Sequence, residues 1–192
     1  PSYSRREAPT AWSAGAAGDA EADGRAAAAP ASEEPPVPAA IPISAVVGRN
    51  AYVCGTFDTK GRELMFIKSC LERLGVRAVT VDLATTQRPS PADVGAAEVA
   101  RHHPRGAGAV FTGDRGASVT AMAEAFARFV VTRRDLAGII SAGGSGGTSL
   151  ATAGMQRLPI GLPKVMVSTV ASGDVKRYVG PSDICMMYSV VD

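Results

Sequence analysis

One passage constrains this chain more than any other. Leu136 to Ser141 is apolar, Gly143-Gly144-Ser145-Gly146-Gly147-Thr148 follows at once, and Ser149 to Leu158 then runs to a stop at Pro159. Such a passage predicts a short buried strand, a glycine-rich turn over 143–148 and a helix, which together make a βα unit. Glycines let backbone amides approach an oxygen-bearing ligand closely, and the helix N-terminus adds partial positive charge, so the turn is expected to hold an anion.

The same alternation recurs from Arg49 onward. Tyr52-Val53-Cys54 leads through Gly55-Thr56-Phe57-Asp58-Thr59-Lys60 into a segment with Leu64, Ile67, Leu71 and Leu74 at helical spacing, which ends near Gly75. Val76 to Leu83 is a β-branched run finishing in Asp82, Thr85 and Thr86. Pro91 to His103 predicts a weak Ala-rich helix, and Gly106 to Phe111 a strand or extended connection. After Thr112-Gly113-Asp114-Arg115-Gly116 comes a strong helix whose buried face is Val119, Met122, Phe126 and Phe129 or Val130. Lys164 to Thr169 is another strand, opening into Val170-Ala171-Ser172-Gly173-Asp174, and Ile184 to Val191 begins a further strand or helix. Strands alternating with helices predict an α/β fold with a doubly wound, mostly parallel, Rossmann-like sheet.

Ligands of such sheets bind outside the carboxyl ends of the strands, and four of these ends are rich in Gly and hydroxyls. Asp58, Lys60, Asp114 and Arg115 are the charged candidates because each lies at an element boundary. Lys60 or Arg115 would neutralise phosphate, and Asp58 would hold a ribose hydroxyl or hydrated Mg²⁺. Asp114 would pair with Arg115 or cap the following helix, capping being the commoner role, while Thr148 suits a helix N-cap whose hydroxyl could serve a phosphate instead. Neither nucleotide fingerprint is present: no Lys follows Gly147 as GxxxxGK[ST] requires, and Ser149 stands at the third Gly position of GxGxxG.

Composition narrows the class. The net charge of +2 is −3 on residues 1–48 and +5 on the remainder, an excess suited to a small anion and too slight, with 5% aromatics, for a nucleic-acid surface. Residues 1–48 are dominated by Ala, Pro, Glu and Gly and predict a disordered tail, leaving 49–192 as the folded domain. Cys54, Cys70 and Cys185 are odd in number and widely spaced, which argues against a disulfide framework or metal site and for a reduced, cytoplasmic setting. Arg5 and Arg6 leave organelle targeting open, although Glu7, Asp19, Glu21 and Asp23 break the acid-poor pattern of a transit peptide. No apolar stretch approaches the roughly 20 residues of a membrane span. His102 and His103 are explained by dipole interaction and exposure at a helix end, and no metal site is expected. Starting at Pro1 without Met, the chain reads as a fragment.

Taken together, GTFDTKGREL, VTVDLATT, GDRGASVTAMAEAFARF, IISAGGSGGTSLAT and PKVMVSTVASGDVKRYVGPSDICMMYSVVD resemble one family over roughly Asn50 to Asp192. It is the family of the tomato protein that confers resistance to tomato mosaic virus by inhibiting viral RNA replication, with relatives in bacteria, fungi and plants. The resemblance implies an N-terminal ATP-binding domain, with or without Mg²⁺, from a protein that forms a homo-oligomer through a second domain missing from this chain. It also implies that the loops at Thr56–Lys60, Gly143–Thr148 and Ser168–Gly173 contribute to the nucleotide site. The candidate set is therefore Gly55, Thr56, Asp58, Thr59 and Lys60; Gly143, Gly144, Ser145, Gly146, Gly147 and Thr148; and Ser168, Thr169, Ser172 and Gly173. Binding of a small-molecule nucleotide is the first reading. The alternatives are an enzyme acting on a small phosphorylated or carboxylated metabolite, with Asp58, Lys60 or Asp174 catalytic, and an interaction domain ordered by nucleotide.

Overall fold

A computed structural model describes residues 48–189; the expected tail lies outside these residues except for Gly48. Five strands form one parallel sheet: β1 (Asn50–Gly55), β2 (Ala78–Asp82), β3 (Leu136–Gly143), β4 (Lys164–Ser168) and β5 (Cys185–Tyr188), in the order β2-β1-β3-β4-β5. The helices are α1 (Phe57–Arg73), α2 (Ala96–Ala100), α3 (Arg115–Thr132), α4 (Ser145–Met155) and α5 (Lys176–Val179). The sheet is doubly wound, as the alternation of elements predicts.

Side chains of each strand alternate between two apolar layers. Val53 meets Phe57 and Leu64 of α1 on one face, while Tyr52, Cys54, Ile139 and Met166 join the larger core beneath α2, α3 and α4 on the other. Gly154 of α4 sits against the fully buried ring of Phe126 of α3, a contact only a residue without Cβ allows, and this brings the two helices together.

Several boundaries differ from expectation. Leu74 is 78% exposed because α1 stops before it: Gly75, at φ +77°, turns the chain, and its amide closes on Glu72 O. The helix expected over 91–103 shrinks to Ala96–Ala100. Its first part is held extended along β2, where Asp93 Oδ2 accepts from Thr80 N and Thr80 Oγ1 and Val94 exchanges backbone hydrogen bonds with Thr80 and Asp82. Gly106 to Phe111 contains a 3₁₀ turn at Ala107–Ala109 instead of a strand. His103 is buried rather than exposed, accepting at Nδ1 from Arg105 N and lying 3.4 Å from Glu124. The last apolar run becomes the fifth strand.

Polar networks tie the amino ends of the strands. Asp135, just before β3, accepts from Asn50 Nδ2 and Tyr52 OH at 3.0 Å, and Arg133 Nε donates to Tyr52 OH at 2.7 Å. Lys164, 2% exposed at the start of β4, spends its ammonium protons on Pro159 O, Leu162 O and Asp183 Oδ1. Partial burial alone would raise the carboxyl pKa of Asp135, yet the bonds from Asn50 and Tyr52 and the charge of Arg133 hold it below the ordinary range. Burial pushes the Tyr52 phenol up to about 12. A depressed acid stabilises the fold above its unfolded pKa, and a raised one stabilises it below. The urea midpoint is therefore expected to fall as pH drops below about 4 and again as it rises past about 10. Asp135→Asn should flatten the acid limb; an unchanged acid limb would remove Asp135 from the explanation.

Candidate functional site

The strand order turns back on itself between β1 and β3. The chain leaves β1 towards β2 on one side and leaves β3 towards β4 on the other, so α1 and α4 diverge and a crevice opens between them. A cleft of about 790 Å³ lies there. It is lined by the first turns of three helices: Thr56 to Lys60 at α1, Gly113, Arg115 and Ser118 at α3, and Gly144 to Gly147 at α4, with Thr85 and Thr86 from the end of β2.

The helix ends are not equivalent. Asp114 caps α3, its Oδ1 accepting from Ala117 N at 2.6 Å, the commoner of its expected roles. The N-cap residues Thr56 of α1 and Gly144 of α4 make no side-chain capping bond. Each helix terminus carries about half a positive charge on outward-pointing amides, which a capping carboxylate partly offsets and an anionic ligand would satisfy. Lys60 and Arg115 add full charges to the same cleft, and among the described residues Asp58 is the one carboxylate lining it. Thr86 Oγ1 donates to Asp58 Oδ2 at 2.9 Å, joining the β1 and β2 ends across the cleft wall, and the hydroxyls of Thr56 and Thr59 lie 2.7 Å apart.

A buried carboxylate fixes the β1–α1 turn. Asp82 is 1% exposed, and its Oδ1 accepts from Phe57 N at 3.1 Å and Ala84 N at 2.8 Å. Burial raises its pKa more than these amides lower it. Asp82 thereby joins the first residue of α1 to the strand end that carries Thr85 and Thr86.

The glycine turn is shorter than its sequence predicts. β3 continues to Gly143, and Ser145 to Thr148 are already the first turn of α4. A Cβ on Gly143 would lie 3.3 Å from Gly147 Cα, so Gly143 serves the close approach of strand to helix. Gly55 likewise packs beneath Leu64. Thr148 is not an N-cap and does not reach the cleft: it is 0% exposed, donating to Gly144 O at 2.8 Å with its hydroxyl 2.6 Å from that of Ser168.

The fourth strand end stands apart. Ser168 is buried against Thr148, Thr169–Ser172 form a 3₁₀ turn, and Ser172, Gly173 and Asp174 are exposed outside the cleft lining, with Asp174 Oδ1 accepting from Lys176 N. β4 lies beyond β3 from the reversal of strand order, which explains the separation. In place of that loop the cleft takes Thr85, Thr86, Gly113 and Ser118. Thr85 and Thr86 were legible as a hydroxylated strand end, whereas the α3 terminus follows an irregular segment and carries no strand signal.

Thr148→Val should therefore lower stability by about 1 kcal/mol, the scale of one hydrogen bond, and leave the affinity of any cleft ligand within twofold. Chemical denaturation and calorimetric titration on the same variant check both halves, and a tenfold loss of affinity would return Thr148 to the binding surface.

Residues 49–192 match the family described as "Uncharacterised protein family (UPF0261) N-terminal domain". A UPF0261 protein of Rhizobium meliloti is 57% identical over 145 residues, covering 75% of this chain and 36% of its own length. One from Clostridium tetani is 38% identical over 159 residues, covering 76% and 37%. The ToMV resistance protein Tm-1 of Solanum lycopersicum is 38% identical over 161 residues, covering 73% and 21%. The chain spans about a third of the length of these bacterial relatives. Among the described residues no helix is long and apolar enough to cross a membrane.

Proposed function

The chain belongs to the UPF0261 family, and from that premise we propose that its domain binds a nucleoside triphosphate such as ATP in the cleft between β1 and β3. One observation carries the reading: three helix N-termini meet Lys60 and Arg115 around a single cleft, and among the described residues the amides of the α4 terminus, unlike those of α1 and α3, donate to no carboxylate. Amides of Gly144 to Gly147 would hold phosphate oxygens, helped by the hydroxyls of Thr56 and Thr59, with Lys60 and Arg115 neutralising charge. Asp58 and Thr86 would face sugar hydroxyls, and Asp58 would also meet a hydrated Mg²⁺ carried by the phosphates. Binding is the activity proposed, since backbone amides and cationic side chains around a cleft specify an anion and not a reaction. The virus resistance in the tomato relative's name remains a statement about that protein.

Calorimetric titration with ATP is the test. The wild-type chain is expected to bind, and Arg115→Ala to weaken binding about tenfold, which is roughly 1.4 kcal/mol for one charge-assisted contact. Gly147→Leu should abolish binding by placing a side chain in the cleft. Saturating ATP at about 100 times Kd should stabilise the fold by about 2.7 kcal/mol. No heat and no thermal shift with millimolar ATP, in protein that melts cooperatively, would refute the reading.

A further inference from the structure

A second cavity of about 610 Å³ adjoins the candidate site, and Thr86 lines both. Its character differs from that of the main cleft. Pro89, Ala97 and Phe111 contribute apolar walls, Gln87 and Arg88 contribute hydrogen-bonding groups, and Thr86 at the junction donates to Asp58 of the main cleft. We infer that this side cavity is the base pocket of a nucleotide whose phosphates occupy the main cleft, so that the domain distinguishes a nucleotide from a simple polyphosphate.

The inference rests on the proposed phosphate site and adds a direction to it. From the helix termini outward the order is cationic and amide-rich cleft, then the Asp58–Thr86 pair, then an apolar chamber with amide and guanidinium groups. Phosphate, polyhydroxylated sugar and planar heterocycle follow the same order in a nucleotide. A flat base buries its faces on apolar and aromatic groups and reads out its edge through donors and acceptors, and Phe111 with Gln87 supplies both kinds of contact. A phosphorylated sugar or carboxylate metabolite would engage Arg88 and Arg101, which also line the chamber, and leave its Pro89, Ala97 and Phe111 walls uncovered.

Titration of the wild-type chain, Ala97→Leu and Phe111→Leu with ATP and with inorganic tripolyphosphate separates the two ideas. Ala97 is exposed on α2, a position where Leu is tolerated by the helix and narrows the side cavity. Wild type is expected to bind ATP at least tenfold more tightly than tripolyphosphate. Ala97→Leu should weaken ATP at least tenfold while tripolyphosphate stays within twofold, and Phe111→Leu should weaken ATP alone by a smaller factor. Tripolyphosphate bound as tightly as ATP, or ATP affinity unchanged in both variants, would overturn the base pocket and leave the phosphate site standing. Parallel losses for both ligands would also overturn it, by showing that the cavity acts on the fold. Failure of wild type to bind either ligand would overturn both the pocket and the function on which it rests.

Discussion

Asp82→Ala is expected to lower the unfolding free energy by about 2–5 kcal/mol, because two buried amides lose their acceptor together and each unsatisfied buried donor costs about 1–3 kcal/mol. Phe57 N and Ala84 N both bond the same carboxylate oxygen, Oδ1, and Asp82 is almost fully enclosed. Asp82→Asn retains an oxygen at that position and is expected to stay within about 1 kcal/mol of wild type. The pair also has a signature in pH. With its pKa raised by burial, Asp82 contributes stability that is present below its unfolded pKa and lost as pH rises through its folded one. Asp82→Asn should remove that portion of the pH dependence. Urea denaturation of both variants across acid pH checks the argument, and equal damage from Ala and Asn would show that the lost charge, not the lost acceptor, matters. ATP affinity should also fall in the Ala variant, since Asp82 positions the first residue of α1 at the cleft.

Gly154→Ala has the second largest expected effect and an informative sign. At an exposed helix interior this change stabilises by about 1 kcal/mol. Here the new Cβ would lie 2.4 Å from Phe126 Cε1, against a ring that is fully buried between α3 and α4. Forcing the helices apart or the ring off its rotamer costs about 1–3 kcal/mol beyond the lost propensity gain, so net destabilisation is expected. A larger residue such as Val should be worse. Stabilisation by Ala would mean that the ring moves aside freely and that the α3–α4 spacing is not set at this point. Because both helices place their first turns at the cleft, a measurable change in their spacing should appear in ligand affinity as well.

Much of this molecule is written locally. Runs such as Tyr52-Val53-Cys54 and Val165-Met166-Val167 specify strands because β-branched and aromatic residues fit a sheet buried on both faces, and Gly75 ends α1 because glycine adopts the left-handed conformation without steric cost. Alternation of such strands with helices determined a parallel, doubly wound sheet. Asp114 before a helical pattern determined a cap. In the same way, Thr56 to Lys60 and Gly144 to Gly147 were legible as strand-end residues with the chemistry of an anion site.

Tertiary structure decided which of these ends share a site. Only the strand order β2-β1-β3-β4-β5 shows that β1 and β3 flank the reversal, and strand order depends on contacts between residues more than 80 positions apart, which no local pattern encodes. It placed Ser168 to Gly173 outside the cleft and buried the Thr148 hydroxyl against Ser168. The same order brought Arg115 into the cleft that Thr86 also lines and left Gly55 and Gly143 as packing glycines. Local residue types thus determined that the chain would offer glycine, hydroxyl and helix termini at its strand ends. Long-range packing of the helices on the sheet, which a sequence window cannot contain, decided which of them converge.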